Sequence, residues 1–505
     1  MTLDFSTPAH YLLALLPEIV LSVWGTVVLL AGVWKGGGAT SSSRSGSGDL
    51  AVLAMVGVLA AALANGWLYG LTPGPGSPMI AVDRFHLFAN WIFLLAAALA
   101  LAISPAYVRR QRLQEGEFHA LVLFATVGMM LMGGTRDLIV IFLALEVMSI
   151  SAYVLSGFNR RDPKSAEAGL KYFLLGAFST GFLLYGIALV YGATGSTNLG
   201  LIALAIGSGA AVAGLLHVGI ALLAIGFAFK VSAIPFHMWT PDVYEGAPSP
   251  VTAFMSASVK AAAFVAFARV FQVGFGGIPE SWYAIGWWLA ALTMVIANVI
   301  ALAQTNVKRL LAYSSIAHAG YLLVAIVALN QNATAGLLFY LLVYTAMNIG
   351  AFAVVLCVSG HSEERLGIDR YAGLGARHPA LAVCLTIFLL SLAGFPGTGG
   401  FMGKIFILQG AAEAGLWTLS VIFVLTTVVS YYYYLRIAWY MWMRDGAGSG
   451  EADPVTVPLT MRFAMGAAVA VVIGLGIFPG GGVDFARAGA EGLLTAGALL
   501  LGAAP

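Results

Sequence analysis

The chain has 505 residues, of which 60% are hydrophobic and only 9% carry a charge, and its formal net charge at pH 7 is +2. This composition is typical of a polytopic helical membrane protein. The longest polar stretches, 35–49 and 444–458, are too short to bury a core of their own, which excludes a separate soluble domain. The sequence has no basic block with interleaved aromatic residues, which excludes a nucleic-acid-binding role.

Fourteen apolar segments are long enough to cross a bilayer as helices, which takes about 20 residues each. They lie near residues 11–33, 50–70, 85–107, 118–134, 137–157, 168–192, 210–234, 250–272, 281–304, 308–329, 333–359, 379–411, 415–443 and 459–478. A further segment, 485–503, is rich in Ala, Gly and Leu, and we expect it to lie on the surface or to pack against a neighbouring helix. The predicted fold class is therefore an all-α membrane protein with one polytopic domain.

The loop charges predict the orientation of these spans. One set of alternate loops carries fifteen Lys and Arg residues, and the other set carries four. The positive-inside rule places the first set in the cytoplasm. Both termini are then expected on the outer side of the membrane.

Two of the predicted spans are interrupted by proline and glycine. The seventh carries Pro235 shortly after Lys230, and the twelfth carries the glycine-rich stretch 393–400 shortly before Lys404. The carbonyls freed by such breaks must face protein or a water-filled cavity, because lipid cannot satisfy them. The two broken spans cross the membrane in opposite directions, which favours two inverted five-helix repeats. The expected divisions are the N-terminal helices 1–117, the repeats 118–272 and 281–443, and the C-terminal helix and tail 459–505.

Four of the seven lysines lie inside long apolar stretches, where a charge costs about 2.5–3.5 kcal/mol or more. They are Lys171, Lys230, Lys260 and Lys404. Ionisable side chains at this depth need a partner or a watery cavity, so their spread along the chain predicts a proton path. Glu146, a carboxylate deep in the fifth span, is the predicted ion-pair partner of Lys230. A purely structural salt bridge is the alternative interpretation of this pair.

Three titratable residues have two interpretations each. Lys171 follows an acidic residue by one helical turn, so it either joins a relay or snorkels to the cytoplasmic edge. His318, in the tenth span, is either a proton carrier or an interhelical hydrogen-bonding residue. His237 lies with Asp242 and Glu245 just beyond the seventh-span break, where it either feeds protons in from the cytoplasm or belongs to an ordinary polar loop.

The sequence predicts no cofactor and no metal site in this chain. Cys357 and Cys384 lack the paired spacing of a zinc or iron–sulfur site. The segment 397–404 lacks residues that a phosphate-binding loop requires, and no haem, flavin or nicotinamide signature is present. Tyr431–Tyr434 is interpreted as an interfacial or packing cluster of aromatic residues.

Three segments, Arg160–Phe173, Phe229–Pro248 and Gln304–Gly320, resemble the subunit N family of the proton-pumping NADH:quinone oxidoreductases, respiratory complex I. The stretch Pro-Phe-His-Met-Trp-Thr-Pro-Asp-Val-Tyr-Glu-Gly-Ala-Pro is specific to this family. The resemblance is strong over spans 4–13 and weak at the ends. It implies a fourteen-helix antiporter-like fold in a bacterial inner membrane, packed edge to edge with sister membrane subunits.

The resemblance also implies roles for individual residues. It makes Glu146 and Lys230 a coupling pair, Lys260 a central relay and Lys404 the exit-side lysine. It places NADH oxidation, FMN, the iron–sulfur clusters and the quinone site in partner subunits, so that this chain supplies proton translocation only.

The sequence departs from the family pattern in two places. The stretch Gly397–Gly400 and the serine-rich loop at 40–48 are longer or looser than the family pattern.

Other interpretations of the sequence stay open. A subunit of a multisubunit monovalent cation/proton antiporter is the main alternative. A passive scaffold and a photosynthetic relative fed by ferredoxin are the others.

Overall fold

The computed structural model describes residues 8–37, 49–71, 79–360, 366–445 and 457–500. The serine-rich loop at 40–48 and the last residues of the segment 485–503 lie outside these ranges. In chain order the helices are α1 (Pro8–Ala14), α2 (Leu16–Gly37), α3 (Asp49–Tyr69), α4 (Arg84–Arg110), α5 (Glu115–Gly133), α6 (Leu138–Ser156), α7 (Pro163–Thr194), α8 (Leu199–Gly207), α9 (Ala213–Val231), α10 (Trp239–Gly246), α11 (Ser249–Phe254), α12 (Lys260–Arg269), α13 (Tyr283–Leu302), α14 (Val307–Ala328), α15 (Gln331–Val358), α16 (Leu374–Arg377), α17 (Pro379–Ala393), α18 (Gly399–Glu413), α19 (Trp417–Met443), α20 (Leu459–Ile477) and α21 (Gly480–Leu500). Two π-helical turns, Met255–Val259 and Val270–Gly274, flank α12.

The all-α membrane fold predicted from the sequence is confirmed. Within the described ranges, thirteen helical segments are long and apolar enough to cross a membrane, and they match every predicted span except the twelfth. The twelfth span is divided into α17 and α18, each too short to cross alone. The continuous segment 249–274, which contains α12, supplies the eighth span.

The break in the seventh span lies between α9 and α10. Helix α9 ends because Ser232 takes the left-handed conformation, with φ of 65°, and Pro235 cannot continue a helix. The indole Nε1 of Trp239, at the start of α10, donates to the carbonyl of Phe229 at 3.1 Å. A carbonyl freed by the break is therefore satisfied by protein, as the sequence requires.

The break in the twelfth span lies between α17 and α18. Gly394 ends α17 with φ of 87°, a conformation that favours glycine, and the Thr398 side chain caps the first turn of α18. The freed carbonyls of Leu392 and Ala393 both accept hydrogen bonds from the ammonium of Lys404, each at 3.0 Å. The group that satisfies these carbonyls is therefore Lys404, one of the predicted relay lysines.

Two helical segments form the centre of the molecule. Helix α14 and the segment 249–274 are buried along the whole of their apolar windows, whereas α19 and α20 are buried along only a third of theirs. Side chains on the two central segments therefore face other helices and not the bilayer. Both carry titratable residues that the sequence singles out, Lys260 and His318.

Helix α21 packs against its neighbours, as expected of the tail. Val483, Ala486, Ala490 and Leu493 form its buried stripe. The helix lies against the beginnings of α4 and α15, and Glu491 accepts a hydrogen bond from the side chain of Gln331 at 2.9 Å. This stripe gives α21 an apolar face toward the protein and a polar face away from it.

A buried ion pair joins the N-terminal helices to the centre. Arg269 is one of the four cationic residues that the sequence assigns to the outer loops, but the structure buries it fully at the end of α12. Its two terminal nitrogens contact the carboxylate of Asp83, the N-cap of α4, at 2.7 and 2.8 Å. Its Nε donates to the carbonyl of Gly133 at 3.0 Å. Arg269 is therefore a bidentate link between α12, α4 and the end of α5.

Candidate functional site: the buried lysines

Lys230 is held by neutral hydroxyl groups of α6. It lies in the last turn of α9, just before the break, and is 2% exposed. Its ammonium donates to Ser149 Oγ at 2.9 Å and to Tyr153 Oη at 3.1 Å, and it also lies 5.4 Å from the centroid of the Tyr153 ring. Hydroxyl oxygens and an aromatic face are the only groups that it contacts on α6, so its charge is solvated without a counter-charge.

The predicted direct ion pair between Glu146 and Lys230 is wrong. Among the residues that the structure describes, no carboxylate pairs with Lys230, and Glu146 Oε1 is buried without a hydrogen-bond partner. Glu146 lies on α6 one turn before Ser149, on the partly exposed side of the helix. The physical reason is that the next two turns of the same helix offer hydroxyl groups that face α9, and these satisfy the ammonium instead.

Lys260 is anchored to α14. It begins α12, directly after the π-helical turn Met255–Val259, and is 2% exposed. Its ammonium donates to the carbonyl of Ser315 at 2.7 Å and to Ser315 Oγ at 2.5 Å. A π-helical turn shifts the register of the side chains that follow it, and such turns are frequent at functional sites. In this chain, the turn immediately precedes the buried lysine.

His318 joins three helices through tyrosine hydroxyls. It lies on α14, one turn after Ser315, and is 1% exposed. Its Nδ1 hydrogen-bonds to the hydroxyl of Tyr340 on α15, and its Nε2 lies 3.0 Å from the hydroxyl of Tyr434 on α19. The hydroxyl of Tyr434 also hydrogen-bonds to Ser314. Both ring nitrogens are therefore occupied by groups that can give or accept a proton.

Lys404 lies at the far end of the same set of contacts. Besides donating to the last carbonyls of α17, its ammonium lies 4.9 Å from the centroid of the Tyr321 ring on α14. The edge of the same ring meets the imidazole of His318, with ring centroids 5.5 Å apart. The Tyr321 ring therefore packs between His318 and Lys404, while its hydroxyl accepts a hydrogen bond from Asn298 Nδ2 at 3.4 Å.

These contacts define a buried polar line, which we call the α14 track. Its members are Lys260, Ser315, His318, Tyr321 and Lys404. Ser315, His318 and Tyr321 recur every third residue, so they lie on one face of α14. The structure therefore brings three predicted relay residues together along one helix. Lys230 lies apart from the track, against α6.

Lys171 belongs to a partly exposed charge network. Its ammonium contacts the carboxylates of Glu167 and Asp242, each at 2.7 Å, and Asp242 also contacts Arg309 at 3.0 Å. Arg309 in turn contacts Glu245 at 3.0 Å. Burial raises the pKa of Asp242, but the hydrogen bonds and charges of Lys171 and Arg309 outweigh burial and lower it below its ordinary value. These contacts favour the edge interpretation of Lys171.

His237 lies in the break between α9 and α10 and is half-buried. Burial lowers its pKa below the ordinary value, which favours the neutral form. Asp242 and Glu245, which the sequence associates with it, are instead engaged by cationic side chains. The structure therefore supplies no contact that joins these three residues into a proton entry.

Sequence reasoning missed the hydroxyl groups that hold the lysines and the histidine. The missed residues are Ser149, Tyr153, Ser315, Tyr321, Tyr340 and Tyr434. The packing interpretation of Tyr431–Tyr434 is incomplete, because Tyr434 is fully buried and its hydroxyl lies on His318. A buried tyrosine hydroxyl needs a partner, and this was the available signal, but spacing alone cannot say which helix provides the partner.

The described residues contain no group of three or more His, Cys, Asp or Glu side chains that could hold a metal ion. Cys357 donates to the sulfur of Met461 at 3.0 Å, and the thiol of Cys384 is free.

Residues 135–430, more than half of the chain, match the family described as NADH:quinone oxidoreductase/Mrp antiporter, TM. The chain is 48% identical over 464 residues to the NADH-quinone oxidoreductase subunit N of Trichlorobacter lovleyi, which covers 91% of this chain and 93% of that protein. Among solved structures, a chain of respiratory complex I from Thermus thermophilus is 35% identical, with a TM-score of 0.77 over 93% of this chain and 98% of that chain.

A chain of the Mrp complex from Dietzia sp. has the same fold, with a TM-score of 0.80 at 20% identity, over 96% of this chain and 99% of that chain. Its low identity shows the fold alone, whereas the relatives above are far closer in sequence. The chain therefore belongs to the NADH:quinone oxidoreductase/Mrp antiporter family of membrane proteins and, within it, to the NADH-quinone oxidoreductase subunits N.

Proposed function

We propose that this chain moves protons across the membrane as an antiporter-like subunit of a proton-translocating NADH-quinone oxidoreductase. Its membership of the subunit N family supports this function. The electron transfer from NADH to quinone, with FMN and iron–sulfur clusters, belongs to partner subunits. The other membrane subunits of the complex and the lipid bilayer are its neighbours.

The α14 track is the observation that carries the proposal. Lys260 and Lys404 are 2% and 3% exposed, and each contacts a residue of α14. The chain retains two ionisable side chains among its most buried residues, at a cost that stability alone does not explain. Between them lie the hydroxyl of Ser315 and the imidazole of His318, which can pass protons, and the ring of Tyr321, which packs against His318 and Lys404.

Each member of the track has a role in this proposal. Lys260 is the central relay, because it begins the track and donates to Ser315. His318 passes the proton between hydroxyl groups, because each ring nitrogen contacts one. Lys404 is the exit-side lysine, and the carbonyls at the end of α17 stabilise its charged form.

Lys230 and Glu146 act as a coupling pair through α6 and not through a direct contact. Glu146, Ser149 and Tyr153 follow one another along this helix, and the last two hold the ammonium of Lys230. A change in charge at Glu146 alters the potential at Lys230 through a buried, low-dielectric layer. In this proposal, redox energy released elsewhere acts at this pair, and the response reaches Lys260 and Lys404.

The proposed setting is the bacterial inner membrane, with both termini on the outer side. The large excess of Lys and Arg in one set of alternate loops supports this orientation, and removing the buried Arg269 from the other set only increases it. The two opposite broken spans support the inverted repeats 118–272 and 281–443 as functional halves. Lys260 belongs to the first half, and His318 and Lys404 belong to the second.

The proposal is tested by alanine substitutions in the intact complex. Lys260→Ala, Lys230→Ala and Glu146→Ala should each lower the proton pumping coupled to quinone reduction, by about tenfold for Lys260. The matched control is Lys35→Ala, which removes an exposed lysine that pairs with Asp49. Pumping is measured in vesicles after assembly has been checked. Normal pumping by an assembled Lys260→Ala complex would refute the role of the track.

A cation/proton antiporter subunit is the second candidate, because the fold is shared with the Mrp complex chain. Purification of the native assembly separates the two functions. Flavin and iron–sulfur clusters travelling with the chain support the oxidoreductase. Sodium-dependent proton flux in vesicles without NADH would support the antiporter.

A further inference from the structure

A second group of buried polar side chains lies in the N-terminal helices, away from every lysine of the proposed path. Glu18 of α2, Asn65 of α3, and His86 and Asn90 of α4 are each between 0% and 2% exposed. Glu18 and His86 are both the third residue of their helices, so the group lies near the end of the bundle at which α2 and α4 begin. We call it the Glu18–His86 site.

The amide groups of the site have fixed orientations. Asn65 Nδ2 donates to the carbonyl of Leu87 at 3.0 Å, and a carbonyl can only accept. Asn65 therefore presents Oδ1 to Asn90, whose Nδ2 donates to it at 3.1 Å. The amide of Asn90 is thereby oriented with its nitrogen toward His86 and Glu18.

This orientation decides where the shared proton lies. Asn90 Nδ2 is 3.0 Å from His86 Nε2, and Glu18 Oε1 is 3.1 Å from the same nitrogen. One amide hydrogen of Asn90 goes to Asn65, and the other is closer to His86 Nε2, at 3.0 Å, than to Glu18 Oε1, at 3.4 Å. A hydrogen on Nε2 would therefore face an amide hydrogen of Asn90, donor against donor. If Nε2 is bare, Asn90 and a protonated Glu18 both donate toward it. The arrangement favours a neutral carboxylic acid on Glu18 and a hydrogen on His86 Nδ1.

Three polar atoms of the site take no part in this network. Glu18 Oε2, His86 Nδ1 and Asn90 Oδ1 are buried, and none has a hydrogen-bond partner among the described residues. Buried polar atoms are normally satisfied by protein or by ordered water. Glu18 Oε2 and Asn90 Oδ1 are acceptors, and His86 Nδ1 carries a hydrogen to donate. Water can both donate and accept hydrogen bonds, so it can satisfy these atoms and can receive a proton from Nδ1.

The charged side chains nearest the site, Asp83, Arg269 and Arg136, interact with one another. Asp83 accepts a hydrogen bond from the backbone N–H of His86, but its carboxylate is held by Arg269 and lies 4.0 Å from Arg136. Helix α3 contributes only the neutral Asn65. Following α5, Gly134 packs on the imidazole, where a Cβ would lie 2.7 Å from the ring. The ring is therefore held in place, and among the described residues the carboxyl group that hydrogen-bonds to it is that of Glu18.

We infer that Glu18 and His86 form a proton-binding site, separate from the α14 track, that exchanges one proton with water at this end of the N-terminal helices. In the exchange, the proton moves from Glu18 Oε1 to His86 Nε2, and the hydrogen of His86 Nδ1 passes to water. The products are a carboxylate, a neutral imidazole that carries its hydrogen on Nε2, and one released proton. The reverse steps reload the site. This inference does not depend on the function proposed for the lysines.

Infrared difference spectra of the intact complex, recorded as a function of pH, test the site directly. The wild type should show a protonated carboxyl band that Glu18→Gln removes. Glu413→Gln, which replaces an exposed carboxylate hydrogen-bonded to Asn332, should leave that band unchanged. His86→Gln should keep the band but shift its frequency, because the carboxylic acid loses the imidazole nitrogen that accepts its hydrogen.

Two results would overturn the inference. One is a carboxyl band of equal size in the wild type and in Glu18→Gln. The other is an unchanged band frequency in His86→Gln. If Glu18→Gln does not assemble, Glu18→Asp provides the second variant, because the shorter acid should shift the frequency of the band. A band that stays at the wild-type frequency in Glu18→Asp would then overturn the assignment.

Discussion

Single hydroxyl groups decide whether His318 can act as a proton carrier. Tyr433 and Tyr434 are adjacent, fully buried and chemically identical, and their hydroxyls interact with each other, but their other partners differ. The hydroxyl of Tyr434 lies on His318 and Ser314, whereas that of Tyr433 donates to Asn298 at 2.9 Å. Phenylalanine at either position removes one buried hydroxyl and little else, so the two variants form a matched pair.

We predict that Tyr434→Phe lowers coupled proton pumping by about tenfold, because His318 Nε2 loses its partner and the track loses one proton-passing contact. Tyr433→Phe should cost about 1 kcal/mol of stability through its lost hydrogen bond and leave pumping near the wild-type rate. Proton uptake in vesicles, normalised to the amount of assembled complex, provides the comparison. Equal effects of the two substitutions would contradict the role given to Tyr434.

The two hydroxyls on Lys230 provide a second test at this scale. Ser149→Ala or Tyr153→Phe leaves one acceptor for the ammonium, whereas the double substitution leaves none. An uncompensated buried charge costs several times more than one lost hydrogen bond, about 3 kcal/mol or more against about 1. We therefore predict a non-additive loss of pumping in the double variant. Pumping measured on all four members of the double-mutant cycle checks this, and simple additivity would show that Lys230 has another partner.

At the scale of helices, the break between α17 and α18 places Lys404. Gly394 and Gly397 both have φ near 86°, so an alanine at either position has the same backbone strain, about 1–2 kcal/mol. They differ in their surroundings. A Cβ on Gly394 would lie 3.0 Å from Lys404 Cδ, whereas a Cβ on Gly397 would have no neighbour within 4 Å.

We predict that Gly394→Ala lowers both thermal stability and pumping, because it adds displacement of Lys404 to the backbone strain. Gly397→Ala should lower stability by a similar backbone cost and keep pumping. The melting temperature and the pumping rate of each assembled variant separate these two effects. Loss of pumping in Gly397→Ala would mean that the backbone of the break, and not the position of Lys404, controls the activity.

The helical elements and their breaks could be predicted from the sequence because apolar length, proline and glycine act locally. The fourteen spans, the stops after Lys230 and Ala393, and the surface packing of α21 all follow from such local signals. The partners of the lysines could not be predicted, because they depend on which helix faces which. Lys230 contacts Ser149 and Tyr153 and not Glu146, which lies about one helical turn before Ser149 on the same helix. No sequence pattern predicts a contact to within one helical turn.

At the scale of the whole molecule, the Asp83–Arg269 pair holds the N-terminal helices on the central segment 249–274. Burial raises the pKa of Asp83, but the charge and hydrogen bonds of Arg269, with the charge of Arg136, outweigh burial and lower it from 3.8 to about 2. A lowered pKa stabilises the folded protein by on the order of 2 kcal/mol at neutral pH. This contribution is complete above about pH 5 and is lost as the pH falls toward 2.

We predict that Asp83→Asn destabilises the protein by about 3–5 kcal/mol at pH 7, because Arg269 is left buried without a counter-charge. The difference in melting temperature between the wild type and this variant should shrink as the pH falls below about 4, since protonation removes the same charge from the wild type. Asp49→Asn breaks an exposed pair with Lys35 and should cost less than about 1 kcal/mol at any pH. Thermal unfolding of all three proteins in one detergent, between pH 7 and pH 3, provides the measurement. A gap between the wild type and Asp83→Asn that does not change with pH would mean that the carboxylate charge is not what holds Arg269, and that the link depends on shape alone.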